Sequence, residues 1–283
     1  GLIYFFGIAP GRVDRRLNSY EDAPPYDVSN SARALHDRLS VADLHADFLL
    51  WDRPALQRNN YGHLDIPRLI DANVTLQVFA AVTKVPFGRS YEGTAGNSDK
   101  ITLLAIAQLW PMVSWFSLTD RALYQARRLH EIDRRAGDAF TVITSREELV
   151  RYHERRKDNR TITAGLLAIE GLHALEGNIG SLVRFYEAGF RMMSLTHMFD
   201  NRLAGSAQGL EQGGLTDFGR AVVRRMNDLE IIIDLAHLSG SAIDDVLART
   251  DRPVVVSHTA IRGTCDSPRN LSDRQIRQVA KTG

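Results

Sequence analysis

At 283 residues the chain is long enough for one large domain, and its 44% hydrophobic and 24% charged residues are ordinary globular proportions, which exclude a disordered chain and a multi-span membrane protein. A net charge of +1, with basic residues scattered and not in runs, argues against a nucleic-acid partner and for a small-molecule one. The single cysteine, Cys265, excludes an intramolecular disulfide and any multi-cysteine zinc site, so a metal would have to be held by His and carboxylates.

Residues 1–16, "GLIYFFGIAPGRVDRR", are an apolar stub followed by Arg12, Arg15 and Arg16. The stub is shorter than the roughly 20 residues that span a bilayer, and it is expected to be the remnant of an N-terminal membrane anchor or signal segment. A short buried N-terminal segment is the alternative. Membrane-anchored or periplasmic location follows from the first reading, and cytoplasmic location from the second; the predominance of Arg over Lys hints at a GC-rich bacterial genome. Residues 17–40 read as a leading linker, interrupted by Pro24 and Pro25, and then a helix in "NSARALHDRLS".

From residue 41 the pattern becomes regular. Short runs rich in β-branched and apolar residues at 40–47, 74–83, 162–171, 191–197, 230–237 and 252–258 each predict a buried strand. Helical stretches lie between them, among them "TDFGRAVVRRMNDL", where Leu215, Phe218, Val222, Met226 and Leu229 recur every three or four residues behind a Thr216 cap, and "SGSAIDDVLART". This alternation predicts right-handed βαβ units and a parallel sheet, doubly wound or closed as a barrel. A long excursion, 84–160, carries the apolar run 101–118; Gln108 and Pro111 within it favour a buried helix pair packed on the sheet, and a homodimer contact, over a membrane span.

Chemistry gathers at the strand ends. His45 and Asp47 share one face of the first strand, Glu170 closes the third, and His197, His237 and His258 close the next three. The C-terminal edge of parallel strands is where barrel enzymes build their sites. Nitrogen and oxygen donors without sulfur point to zinc, with manganese or cobalt as alternatives, and the donor number suits two ions with a carboxylate between them. His173 is expected in a supporting role around the site, and His36, His63, His130 and His153 as solvated or capping residues. The "DFG" at 217–219 opens an amphipathic helix and is an accidental match to a kinase signature; Cys265 is expected to be a small buried thiol.

In "DLHADFLLW", "AIEGLHALEGNIGSLVRFYEAGFRMMSLTH", "GLTDFGRAVVRRMNDLEIIIDLAHLS" and "VVVSHTAIRGTCDSPRN" the chain resembles the membrane (renal) dipeptidase family of binuclear metal hydrolases, from about residue 41 onward. The resemblance implies a TIM-type (β/α)8 barrel, here ending after its sixth unit, over residues 41–283. It implies that His45 and Asp47 hold one zinc, His237 and His258 the other, and Glu170 bridges them. His197 would polarise the scissile carbonyl of a dipeptide and Arg269 would hold its terminal carboxylate. L-dipeptides, also with a D-residue in the C-terminal position, are the implied substrates. Leu44 and Ala46 stand where the family often has Gly and Asn, and the family's last two strands and its proton-handling Asp would lie beyond Gly283. Two rival readings accompany this one: another binuclear hydrolase acting on a lactam, ester or cyclic amide, and a non-catalytic barrel that binds metal or peptide.

Overall fold

The computed structural model describes residues 1–20 and 25–283; Pro24, one of the two linker prolines, lies outside them. Six strands form one curled, wholly parallel sheet: β1 Val41–Ala46, β2 Val74–Val82, β3 Phe140–Val142, β4 Thr163–Glu170, β5 Phe190–Ser194 and β6 Ile232–Asp234. They lie in the order β1-β2-β4-β5-β6, with β3 paired to the first residues of β4. β2 and β4 are buried along nearly their whole length, because helices cover one face and the curled sheet packs on itself at the other. Phe79, Leu167, Ile169, Phe140 and Phe190 fill the core between them.

Two expectations about the strands need correction. β3 lies inside the long excursion, where the sequence pattern predicts no strand, since three residues carry no readable period. The run 252–258 is not a full strand: it touches β6 through one parallel bridge, Asp234 to Val255. Pro253 has no N–H to give to a ladder, and the Ser257 N–H goes to the Asp234 side chain at 3.0 Å instead of to a main-chain carbonyl.

The apolar run 101–118 folds as helices Lys100–Ala107 and Val113–Phe116, but only one face is buried. Ile101, Ala105 and Trp110 are interior, whereas Leu109, Met112, Val113 and Phe116 are exposed. No described helix is long and apolar enough to cross a membrane. The excursion is pinned by Arg121, 1% exposed, in the following helix Leu118–Ala136. Its guanidinium binds the Thr83 carbonyl just past β2, Asp99 at 2.7 Å and the Ser114 carbonyl at 2.9 Å, so a buried charge is fully hydrogen-bonded. At the N-terminus, residues 1–20 are helical over Tyr4–Ile8 and Ala9–Leu17, and buried Asp14 pairs with Arg53 at 3.4 Å.

Helix Asp217–Asp228 starts where the sequence places its cap, with Thr216 Oγ1 accepting the Gly219 N–H at 3.0 Å. The "DFG" glycine has a structural use, because a Cβ on Gly219 would lie 2.0 Å from the Leu203 carbonyl oxygen. Gly→Ala inside a helix ordinarily stabilises by about 1 kcal/mol. Here Gly219→Ala is expected to destabilise by about 1–3 kcal/mol through overpacking, a reversed sign that denaturant titration of both proteins reads directly.

Candidate metal centre

The strand registers bring the donors level. Val82 pairs with Glu170 and Ser194 with Asp234, so β2, β4, β5 and β6 end together and their following turns crowd one mouth. Gly171, at φ +93°, makes the turn after Glu170, and its N–H donates to Ser194 Oγ at 2.9 Å. A side chain there would strike the His173 ring at 2.5 Å and the His197 Cβ at 3.1 Å. His237 follows β6 in the left-handed region, φ +68°.

Glu170, 4% exposed, is the point on which the others converge. Its Oε1 lies 2.8 Å from His237 Nε2, 3.5 Å from His258 Nε2 and 3.6 Å from His45 Nε2; its Oε2 lies 3.3 Å from His197 Nε2. His237 and His258 face each other Nε2 to Nε2 at 2.9 Å, and the His45 and His258 rings are 4.0 Å apart. Asp47 joins only through His45, 3.0 Å away, and its side chain is 46% exposed. By mutual distance the ligand atoms sort as His45, Glu170 and His258, and as Glu170, His197 and His237, each set within 4.8 Å. That division differs from the one the resemblance implies, because the curl of the sheet sets His258 against both His45 and His237. The donor set fits a divalent cation: ligand atoms of tetrahedral zinc lie about 3.3 Å apart, and the Nε2 atoms of His237 and His258 are 2.9 Å apart, both beside the Glu170 carboxylate.

The electrostatics are those of a buried anion among imidazoles. Burial works against the charge of Glu170, but the surrounding rings of His197, His237, His258 and His45 hold its carboxyl well below the usual range. Burial also opposes a charge on His45, yet the hydrogen bond to Asp47 and the Glu170 charge raise it to about 9. His237 is pushed down to about 3, chiefly by burial, and its Nδ1 is buried without a partner.

Arg269 sits half-buried in the loop after His258 and donates to the His258 carbonyl at 2.8 Å, which places its guanidinium beside the centre. His173 does not reach Glu170. Its Nε2 meets Thr83 Oγ1 at 3.0 Å, and it lines a cavity of ≈ 490 Å³ with Lys84, Asn97, Phe199 and Asp200; the carbonyl of Lys84 is 3.4 Å from His197 Nδ1. His36 and His130 bind main-chain carbonyls as capping residues, at 2.8 and 3.0 Å. Cys265 is exposed, contrary to the expected buried thiol, because its loop has few apolar neighbours to pack on. Sequence reasoning missed Asp234, Ser257 and Thr83. A signal existed for the first, a lone carboxylate inside the apolar run "EIIIDLAH".

The profile of the family described as "Membrane dipeptidase (Peptidase family M19)" matches residues 29–283. Dipeptidase 3 of Mus musculus is 30% identical over 233 residues, 78% of this chain and 45% of that protein, so the chain spans less than half the length of this curated relative. A crystal structure of a metallopeptidase named dipeptidase AC, of family M19, superposes with a TM-score of 0.65 at 25% identity, over 86% of this chain and 70% of that one. A metallopeptidase from Rhodobacter sphaeroides, liganded with a phosphinate mimic of L-Ala-D-Ala, shares the fold with a TM-score of 0.66 at 24% identity, over 86% of this chain and 72% of that one.

His173 yields a pH test. Burial, with His197 and Lys84 adding to it, lowers its pKa to about 3, against about 6.5 in the unfolded chain. Between those values the unfolded state binds one proton more, so stability falls as pH drops from about 6.5. With chelator present, His173→Gln is expected to flatten the dependence of unfolding free energy on pH between 6.5 and 5 by up to one proton, about 1.4 kcal/mol per pH unit. Denaturant midpoints across that window check it; parallel slopes would place the ring in water.

Proposed function

This chain belongs to the membrane dipeptidase family, peptidase family M19, and from that premise we propose that it is a metal-dependent hydrolase that cleaves the peptide bond of dipeptides. The observation that carries the reading is the convergence of four histidines on buried Glu170 at the C-terminal edge of a parallel sheet. The relatives named as dipeptidases support the substrate class. The scaffold is proposed to be of the (β/α)8 type, with the mouth of the barrel as the active site.

In this proposal His45 and Asp47 would hold one zinc ion and His237 and His258 a second, with Glu170 serving both; manganese or cobalt would suit the same donors. Ions held there would supply Lewis acidity and make water a nucleophile near neutral pH. The chain's own groups orient the substrate. His197, edge-on against His237 with ring centroids 4.7 Å apart, presents Nε2 toward the same space and donates to the scissile carbonyl oxygen as negative charge builds there. Arg269, held by the His258 carbonyl, offers its remaining guanidinium donors to the terminal carboxylate, the planar fork a carboxylate matches. The cavity lined by Lys84, His173 and Phe199 would receive a substrate side chain. The exposed apolar turns at Leu2, Ile3 and Tyr4, with Arg12 over the Tyr4 ring, suit attachment at a membrane surface outside the cytoplasm.

Two measurements test the reading. Zinc-loaded protein should contain about two ions per chain, and Glu170→Gln should bring that below one, because a shared carboxylate serves both positions; folded wild-type protein that holds no zinc at all would end the proposal. Arg269→Met should lower kcat/KM on a dipeptide by roughly 2–4 kcal/mol of transition-state binding, with a matching loss for C-terminally amidated dipeptides on the wild type. Equal cleavage of acids and amides would remove Arg269 from the substrate site.

A further inference from the structure

Asp234 closes β6 and is 4% exposed, and its two oxygens accept three hydrogen bonds. Oδ1 takes the Ala236 N–H and the Ser257 N–H, each at 3.0 Å, and Oδ2 takes the Ser257 hydroxyl at 2.6 Å. An ionised carboxylate only accepts, so the one proton on Ser257 Oγ is committed to Asp234. What Ser257 Oγ then turns toward His258 Nδ1, 2.8 Å away, is a lone pair. The contact is a hydrogen bond only if Nδ1 carries the hydrogen, and a neutral imidazole with Nδ1–H has its lone pair on Nε2. That nitrogen is the one that points into the centre, 2.9 Å from His237 Nε2 and 3.5 Å from Glu170 Oε1.

We propose that Asp234 and Ser257 are positioning residues that lock His258 as its Nδ1–H tautomer and so aim the Nε2 lone pair at the metal centre. Ligating histidines usually hand their second N–H to a carboxylate, a carbonyl or water. In this chain a hydroxyl stands between, and the carboxylate acts on the ring through one O–H. The same carboxylate also governs the other ligand of β6. Its bond to the Ala236 N–H tightens the turn that brings His237 to φ +68°, and its bond to the Ser257 N–H, beside the Asp234–Val255 bridge, docks the His258 segment onto β6. Asp234 therefore fixes both the distance between the two rings and the tautomer of one of them. The consequence for metal binding rests on the function proposed above, whereas the tautomer does not.

The test reads the two separately. Long-range 1H–15N correlation spectra of the metal-free protein at pH 8, with His258 assigned by its loss in His258→Gln, show which ring nitrogen is protonated. Nδ1–H is expected in the wild type and in Ser257→Thr, which keeps the hydroxyl. In Asp234→Asn the new amide donates toward Ser257 Oγ, the hydroxyl proton turns to the ring, and Nε2–H should appear; Ser257→Ala should give a mixture. Zinc affinity, measured by competition with a chelating dye, should fall about 10- to 100-fold in Asp234→Asn and Ser257→Ala and stay near the wild type in Ser257→Thr. An Nε2–H wild type overturns the proposal, as do variants that melt at lower temperature but keep both tautomer and affinity. Should Asp234→Asn fail to fold, the wild-type spectrum and the two Ser257 variants still decide. If the wild type binds no zinc, the metal reading fails, and the tautomer is still judged by the same spectra.

Discussion

Glu170 is an almost fully buried carboxylate with four imidazole nitrogens within 3.6 Å of its oxygens, and the arrangement around it follows from the need to balance that charge. An unpaired buried carboxylate costs several kcal/mol even after relaxation. Neutral rings alone offer little relief. Either a ring takes a proton or a cation enters, and the chain divides the rings accordingly: His45, backed by Asp47, is raised to about 9, while His237, deep and without a partner for Nδ1, is held near 3. A divalent ion held by these rings, as proposed, would bring positive charge to the carboxylate without protonating any of them, and a His45 that served as its ligand would have to be free of its proton.

The sheet makes the crowding possible. A parallel sheet puts every strand's C-terminus on one edge, and the registers Val82 to Glu170 and Ser194 to Asp234 keep those ends level. The histidines then come from the turns just beyond, where a ring can face a polar mouth while its backbone stays anchored. Anchoring is by side chains as much as by the ladder. Arg121 ties the excursion to the Thr83 carbonyl, so the Thr83–Lys84 segment is fixed against His173 and His197. Asp234 does the same for the 255–258 segment, in place of a full strand.

Much of this is legible in the sequence. β2 and β4 are long apolar runs and could hardly be misread, and the His45-x-Asp47 spacing with histidines after apolar runs marked one end of the sheet. β3 leaves no signal because three residues have no period, and 252–258 looks more strand-like than it is because neither Pro253 nor the side-chain capture of the Ser257 N–H shows in an apolar count. Residue spacing says which side chains share an end, not which of them face each other: His258 meets His45 at 4.0 Å only because the sheet curls. Asp234, Ser257 and Thr83 escaped notice for a related reason. Singly, each looks like any polar residue that ends a strand, and their meaning lies in a chain of donors and acceptors across elements far apart in sequence.

The opposite edge of the sheet shows what the same residue types do when stability is the only demand. Near the N-terminal ends of β1 and β2, Arg156 binds the Ile162 carbonyl and Asn73 Oδ1, Arg160 binds the Asp37 carbonyl, and Asn73 donates to the carbonyls of His36 and Leu39, at 3.0 Å each. His36 meets the Ala72 carbonyl. These side chains satisfy carbonyls left open at the C-termini of helices Asn30–His36 and Ile66–Asp71, where the helix dipole favours positive charge, and Arg156, near the end of helix Arg146–Asp158, ties that helix to the start of β4. Their donors are spent within the fold. At the Glu170 edge the balance is reversed, with imidazole nitrogens crowded against one another and against one carboxylate, and the His237 Nδ1 left without a partner. The polarity of a parallel sheet thus separates the two uses: helix ends are closed with cations on one side, and unspent donor atoms are gathered on the other.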